Sequence, residues 1–495
     1  MHNYQIYING QWRDSASGNS FDSLNPYTGE SWASIPQCNA ADVEAAVDAA
    51  NTAFESEAWR GLTATARGKM VKRFGQVLLD NAEKLAAIEV RDNGKLYSEV
   101  LNQCRYMTEW FEYFGGLADK VEGTVPPIDK PKVLNYTRYE PLGVCACITP
   151  WNSPLLLLVW KLAPALAAGN TVVIKPSEYT SASTLELAKL SELAGFPPGV
   201  INVVTGYSSE VGEPLVSHKK VRKIAFTGGE EGGRQVNISA ASDFKKVTLE
   251  LGGKSANIVF DDADLDQAVD GAISGIFAAS GQTCIAGSRL LLQDTIHDEF
   301  LERLVDMSSI AKLGDPMSED TQIAPIANEL QYKKILKYID IAKAEGAKCV
   351  LGGGSATVEG NHEGLFVLPT IFSDVDNSMR IAQEEVFGPV LSVIRFKDED
   401  EAVSIANDID YGLAAGVWTK SLNRAVNVSE RLQAGTVWVN TYRSTSYTSP
   451  FGGYKSSGLG RENGQQAIKE YLPVSYTHLR AHETPEHLVC RLLLE

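Results

Sequence analysis

The chain is poor in the residues that build metal centres and disulfide frameworks. Its 495 residues hold seven cysteines and seven histidines. No two cysteines stand as C-x-x-C, and the histidines follow no ligand spacing, so no metal is expected. Cys145 and Cys147 fall on one face of an expected strand, where neighbours rarely bridge. Such usage reads as reduced thiols. A basic surplus is lacking too: the formal net charge of −17 argues against nucleic-acid and anionic-membrane partners. No apolar run approaches the ~18 residues that span a bilayer. Met1 to Gly10 lacks the basic start and apolar core of a signal peptide, so a cytoplasmic protein is expected. Internal repeats, low-complexity linkers and the G-x-G-x-x-G fingerprint are also missing. What is present is a globular composition, 44% hydrophobic and 22% charged, with length for two or three domains.

Element signals are dense. Tyr4 to Trp12 alternates and turns at Asn9-Gly10, a hairpin signature. A turn at Asn25 to Glu30 precedes another short strand, and Asp42 opens a helical tract with Val43, Ala46, Val47 and Ala50 on one face. Helices follow over about 65–81, 82–93 and 98–120. Val133 to Glu140 reads as an exposed strand, either a surface hairpin or a strand lent to a partner subunit. After Pro141, strands at 143–149, 171–175, 201–205, 223–227 and 246–251 alternate with helices at 155–168, 181–194, 208–217 and 230–241. Crossovers of that length give parallel pairing, hence a doubly wound α/β sheet that binds ligands beyond its strands' carboxyl ends. A second α/β unit begins at Asn257, with strands near 257–260, 288–293, 390–396, 415–418 and 436–440, and a broad interface between the units is expected.

The chemistry gathers in loops. Cys284 sits among small residues in Ala278-Ala279-Ser280-Gly281-Gln282-Thr283-Cys284-Ile285-Ala286-Gly287, where bare backbone allows close approach to a potential nucleophile. A buried, inert thiol is the bland alternative. Phe226-Thr227-Gly228-Gly229 joins a strand to a helix, a place where backbone amides meet anions, although a plain tight turn fits equally. Lys175-Pro176-Ser177-Glu178 supplies a cation and a carboxylate suited to a ribose diol, or else a capping pair. Asn152, on a proline-stiffened loop after Thr149-Pro150-Trp151, is an amide donor suited to an oxyanion. Glu250 ends the last strand of the first unit, where a carboxylate serves as general base if its pKa is raised.

The segments T-P-W-N, K-P-S-E, F-T-G, L-E-L-G-G-K, G-Q-x-C-x-A-G-S-R, E-E-x-F-G-P-V and P-F-G-G-Y-K-x-S-G-x-G-R-E occur in that order between Thr149 and Glu462, within a likeness that runs from about Tyr4 to about Leu472. Together they resemble the aldehyde dehydrogenase superfamily, NAD(P)-dependent, non-phosphorylating and hydrolytic. The resemblance implies a Rossmann-type cofactor domain at 1–122 and 142–253, a catalytic domain at 254–471, and an oligomerisation arm at 123–141 with 472–495, in a homodimer or homotetramer. It implies Cys284 as nucleophile, Glu250 as general base, Asn152 as oxyanion donor, and Lys161 and Glu462 as proton-relay partners. On the residues alone, Lys161 reads as a snorkelling side chain on an apolar helix.

For the cofactor, the resemblance implies Lys175, Ser177 and Glu178 at the adenosine ribose, Gly228, Gly229 and Gly233 under the pyrophosphate, and Thr149, Trp151 and Leu251 along the groove. Glu385 and Phe387 match the nicotinamide-ribose end. NAD is expected, with NADP accepted by some members that carry a glutamate at the position of Glu178. Gly229 stands where the family often has serine, so a hydroxyl toward the pyrophosphate is missing. Met107, Ser153, Leu156, Leu157, Trp160, Ala278, Thr283, Ile285, Thr445 and Phe451 match the substrate tunnel. Ser153, Ala278 and Thr445 are small there, which points to a larger aliphatic, aromatic or hydroxylated aldehyde. Arg443 is expected to form a loop-stabilising ion pair, with a substrate carboxylate as its other option. From about Pro473 the chain is dense in His and Arg without strand alternation. The expectation is a translation artefact or frameshift that forms no packed strand and weakens the arm.

Overall fold

Asn9 and Gly10 both adopt left-handed backbone, φ 54° and 72°, as a two-residue hairpin turn of this kind requires. They join strands Ile6–Ile8 and Gln11–Arg13 in antiparallel register. The first long helix runs Ala40–Glu55, two residues earlier than its apolar face suggests. Asn39 Oδ1 accepts from the Ala41 N–H at 2.9 Å, and Asp42 accepts from the Asn39 N–H at 3.2 Å. Asp42 is thus the third residue of a capping box rather than the opening of the helix. Helices Ala64–Asp80, Ala82–Asn93 and Tyr97–Leu117 follow.

The computed structural model describes residues 1–358 and 361–480. An eight-stranded sheet runs in the order Gly458–Leu459, Lys246–Glu250, Val221–Thr227, Val144–Ile148, Thr171–Lys175, Ile201–Val203, Ile6–Ile8, Gln11–Arg13. Its five central strands are parallel. Val144–Ile148 and Thr171–Lys175 are buried at every position, which is why they read as continuous apolar runs. Strand order reverses beside Val144–Ile148: the next two strands in sequence lie on one side of it and the following two on the other. A crevice opens at such a switch point, beyond the strands' carboxyl ends. There stand Thr149 to Ser153 and Gly228-Gly229.

The second sheet has seven strands, Lys348–Leu351, Thr370–Ser373, Val390–Phe396, Arg289–Gln293, Ala256–Val259, Ala414–Trp418 and Thr436–Val439. The first two were not expected. Thr370–Ser373 is four residues long and buried throughout, too short to show a period. One apolar cluster runs from Trp110, Leu158 and Leu166 to Leu290, Leu292 and Leu391 of the second sheet, the broad interface expected. Gly458–Leu459 crosses back to pair with Leu249 and Glu250, so a segment that follows the second sheet in sequence closes the edge of the first.

The expectation for the tail fails over Val474–Arg480. That segment is a strand paired antiparallel with Val133–Tyr139 at seven consecutive positions, Val474 opposite Tyr139 and Arg480 opposite Val133. A ladder of this kind needs backbone groups and β-compatible side chains such as Tyr476 and Thr477, not an apolar alternation. The rest of the tail expectation, from residue 481 on, lies outside the described residues.

Candidate active site

The helix Leu265–Phe277 ends in a loop that is locked from several sides. Ala279, Ser280 and Gly281 all take left-handed backbone, φ 53°, 52° and 71°, a conformation unfavourable for the first two. Ser280 Oγ donates to the Ala324 carbonyl at 2.7 Å and accepts the Ala324 N–H at 3.1 Å. Gln282 Oε1 accepts the Ala327 N–H at 2.9 Å, and Glu99 accepts the Ala279 N–H at 3.0 Å. At Gly281 a Cβ would come within 2.0 Å of the Gly388 carbonyl oxygen, and at Gly253 within 2.6 Å of that of Cys284. Glycine is required at both for close approach. Tyr442 donates to the Ile285 carbonyl at 3.1 Å. The Cys284 backbone is therefore held rigidly.

Asn152 Nδ2 donates to the Gln282 carbonyl at 2.9 Å, which brings its amide onto the cysteine loop. The backbone N–H groups of Cys284 and Ile285 act on the Cys284 sulfur. Burial nonetheless pushes the thiol up to about 12, helped by the negative charges of Glu385 and Glu250. Glu250 is itself buried, with neither carboxylate oxygen hydrogen-bonded among the described residues. Desolvation, then Glu462, holds its pKa well above the usual carboxylate range against the pull of Lys161 and Arg461.

Lys161 does not snorkel. It is fully buried on the helix Pro154–Ala168 and donates to Glu462 Oε1 at 2.5 Å and to Thr227 Oγ1 at 2.6 Å. Removing one member of such a pair costs about 3–5 kcal/mol. Among the described residues Glu462 keeps its second oxygen without a hydrogen-bond partner. Glu250, Glu462 and Lys161 thus form a buried set of three ionisable groups that act on one another's charge.

A groove of about 270 Å3 holds Cys284 at one end and is lined by Thr149, Trp151, Asn152, Lys175, Ser177, Glu178, Gly228, Gly229, Leu251, Glu385 and Phe387. Of the eleven residues expected at a cofactor, ten line it. Gly233 does not: it lies one turn into the helix Glu230–Ala241, where a Cβ would meet Leu251 Cδ2 at 2.4 Å. Its role is close packing of helix on strand. A Cβ at Gly228 would sit 2.6 Å from the Phe226 ring and displace it, whereas among the described residues nothing lies within 4 Å of a Cβ at Gly229. Space for a serine exists there unused.

Lys175 is buried, its pKa lowered by desolvation against the opposing charge of Glu178. Glu385 accepts the Gly253 N–H at 2.9 Å. Phe387, at φ 60°, stands edge-on to Trp151 with ring centroids 5.3 Å apart. Gln331 donates to the carbonyls of both Val386 and Phe387, at 2.8 and 2.9 Å, and with Lys334 lines the groove. Neither residue carries a sequence signal, because both lie on an ordinary amphipathic helix, Glu329–Ala344. Beyond Lys175 and Phe226 the groove continues into a chamber of about 510 Å3 between Val216 and Val236.

The residues matched to a tunnel come from four elements. Met107 is buried on the helix Tyr97–Leu117. Leu156, Leu157 and Trp160 follow Ser153 along Pro154–Ala168, and Leu157 also walls the groove. Trp160 stacks on Trp110 and meets Phe451 edge-on at 5.0 Å. Ala278, Thr283 and Ile285 belong to the cysteine loop, and Thr445 accepts at its carbonyl from Tyr106 at 3.5 Å. Arg443 makes no ion pair among the described residues; its Nη1 donates to the Ser274 carbonyl at 3.1 Å. Three residues here escaped sequence reading. Lys95 is buried and donates from Nζ to Ser153 Oγ and Gln103 Oε1, both at 2.9 Å, and Glu99 leaves Oε2 without a hydrogen bond among the described residues.

Comparison with known proteins gives a consistent answer. The model of the aldehyde dehydrogenase family matches residues 12–477. An aldehyde dehydrogenase from Emericella nidulans is 46% identical over 96% of this chain and 95% of its own. The (Z)-2-((N-methylformamido)methylene)-5-hydroxybutyrolactone dehydrogenase of Acinetobacter baylyi is 45% identical over 98% of each. Among solved structures, betaine aldehyde dehydrogenase from Staphylococcus aureus in complex with NAD+ superposes with a TM-score of 0.95, at 42% identity over 97% of this chain and 95% of that one.

Proposed function

The chain belongs to the aldehyde dehydrogenase family, and on that premise we propose that it oxidises a larger aldehyde to its carboxylic acid through a Cys284 thioester hydrolysed by Glu250-activated water. The meeting of three groups carries the reading: Cys284 and Asn152 line the groove, the Asn152 amide donates to the cysteine loop, and the charge of Glu250 acts on the Cys284 sulfur. The groove's donor set fits a dinucleotide: a cation and a carboxylate at Lys175 and Glu178, side-chain-free backbone at Gly228, and a carboxylate at Glu385. NAD, the cofactor in the solved relative, supplies a hydride acceptor when bound there.

Cys284 sheds its thiol proton to water in the groove as Sγ adds to the aldehyde carbon, and the oxyanion meets the Cys284 N–H and the Asn152 amide. The sulfur then holds the acyl group while Glu250 takes a proton from water, which attacks the thioester and releases the acid. Lys161 and Glu462 stand behind Glu250 to pass that proton inward. A desolvated glutamate is protonated more readily than an exposed one, so its raised pKa suits proton capture. The small side chains of Ser153, Ala278 and Thr445 support a roomy tunnel, and the ribbon of Val133–Tyr139 with Val474–Arg480 supports assembly as a homodimer or homotetramer.

The test is NADH absorbance on mixing the protein, NAD and an aldehyde series. Turnover is expected with the native chain and none with Cys284→Ala; undiminished turnover in that variant would sink the mechanism.

A further inference from the structure

Two cations pack against segments that flank Cys284 and Asn152, and the reaction above uses neither. Lys95 is fully buried, and both of its hydrogen-bond acceptors, Ser153 and Gln103, are neutral. Ser153 is the immediate neighbour of Asn152. Arg443 follows Tyr442, the residue that braces Ile285, in a loop where both Asn440 and Arg443 are left-handed, φ 53° and 63°. Backbone strain of this kind in non-glycine residues clusters at ligand sites. One hydrogen bond, to Ser274, accounts for a single donor of a guanidinium that has five.

Two carboxylates, Glu89 and Glu99, face the two cations, and neither forms an ion pair with them among the described residues. Glu89 faces Lys95, but its two oxygens are taken by the Asn93 amide and by the Leu155 N–H at a helix start. Glu99 acts on both cations without pairing with either, and one of its oxygens is spent on Ala279. Arg443 packs against the segment that leads to Cys284: its Nη1 bonds the Ser274 carbonyl, and its neighbour Tyr442 bonds that of Ile285. A half-buried guanidinium with further donors to offer recognises a planar oxyanion through paired hydrogen bonds.

We propose that Arg443 anchors a carboxylate at the far end of the aldehyde substrate, with Lys95 reinforcing it through Ser153. The enzyme would then act on ω-carboxy aldehydes and release dicarboxylic acids. This rests on the aldehyde-oxidising reading and names its substrate class. A quaternary ammonium end, as in betaine aldehyde, would face two like charges and is disfavoured.

The experiment compares kcat/KM of the full chain for glutarate semialdehyde, pentanal and betaine aldehyde, and in parallel the protection of Cys284 from iodoacetamide by glutarate against valerate. Glutarate semialdehyde is expected to exceed pentanal by about ten-fold or more, the scale of a charged hydrogen bond. Arg443→Gln should shrink that ratio toward unity, Arg443→Lys should restore part of it, and glutarate should protect better than valerate only while a cation is present. A preference for pentanal or betaine aldehyde, or equal protection by the two acids, overturns the proposal. Should Arg443→Gln fail to fold, the native chain's own preference and protection decide. Preferential protection by glutarate without NADH from any aldehyde would instead break the oxidation reading and leave the anion site standing.

Discussion

Glu250 sits in a place the fold would rather give to a neutral group. Both oxygens lack hydrogen bonds among the described residues, and burial holds its pKa well up. A raised native pKa means that the fold favours the protonated acid. The stabilising contribution is therefore complete below the ordinary pKa of about 4.3 and is lost as pH rises through the raised value. Glu250→Gln mimics the protonated acid and never ionises. It should melt at the same temperature as the native chain near pH 4 and higher, by ~1–3 °C, at pH 8. Differential scanning fluorimetry across that range checks this, and parallel curves at all pH values would count against a strained base. Sequence alone marks Glu250, Cys284 and Asn152 because each stands in a motif. It does not mark Lys95, Glu99 or Gln331, whose partners are more than fifty residues away or set by helix packing.

Among elements, the parallel strands and their helices were legible because both faces of the sheet are covered, leaving apolar runs bounded by Gly and Pro. The edge pieces were not. Lys348–Leu351 and Gly458–Leu459 are short, and their pairing is chosen by the neighbour rather than by their own pattern. The ribbon is the instructive case. Val133–Tyr139 was read as a strand and Val474–Arg480 was not, yet each completes the other. A two-stranded ribbon is at best marginally stable by itself, and this one exposes Leu134, Val474, Tyr476 and Leu479. Leu134 and Leu479 lie opposite one another on one face. If that face covers a second copy, Leu134→Asp with Leu479→Asp should lower the mass found by light scattering to that of a smaller assembly. An unchanged mass would assign the interface elsewhere.

At the scale of the molecule, two α/β sheets meet so that the crevice of the first faces the cysteine loop of the second, and the last segment of the second returns to bring Glu462 against Lys161. The family follows from motifs spread over the chain, while the substrate depends on how distant side chains meet at the tunnel, which no motif records. The central claim is that Cys284 carries the acyl group and that Glu250 is needed only to release it. Rapid mixing of Glu250→Gln with NAD and an aldehyde tests it most directly. The account predicts a burst of about one NADH per chain followed by near-zero turnover, because the thioester forms and then persists. Steady turnover at the native rate, or loss of the burst together with turnover while the variant remains folded, would contradict it.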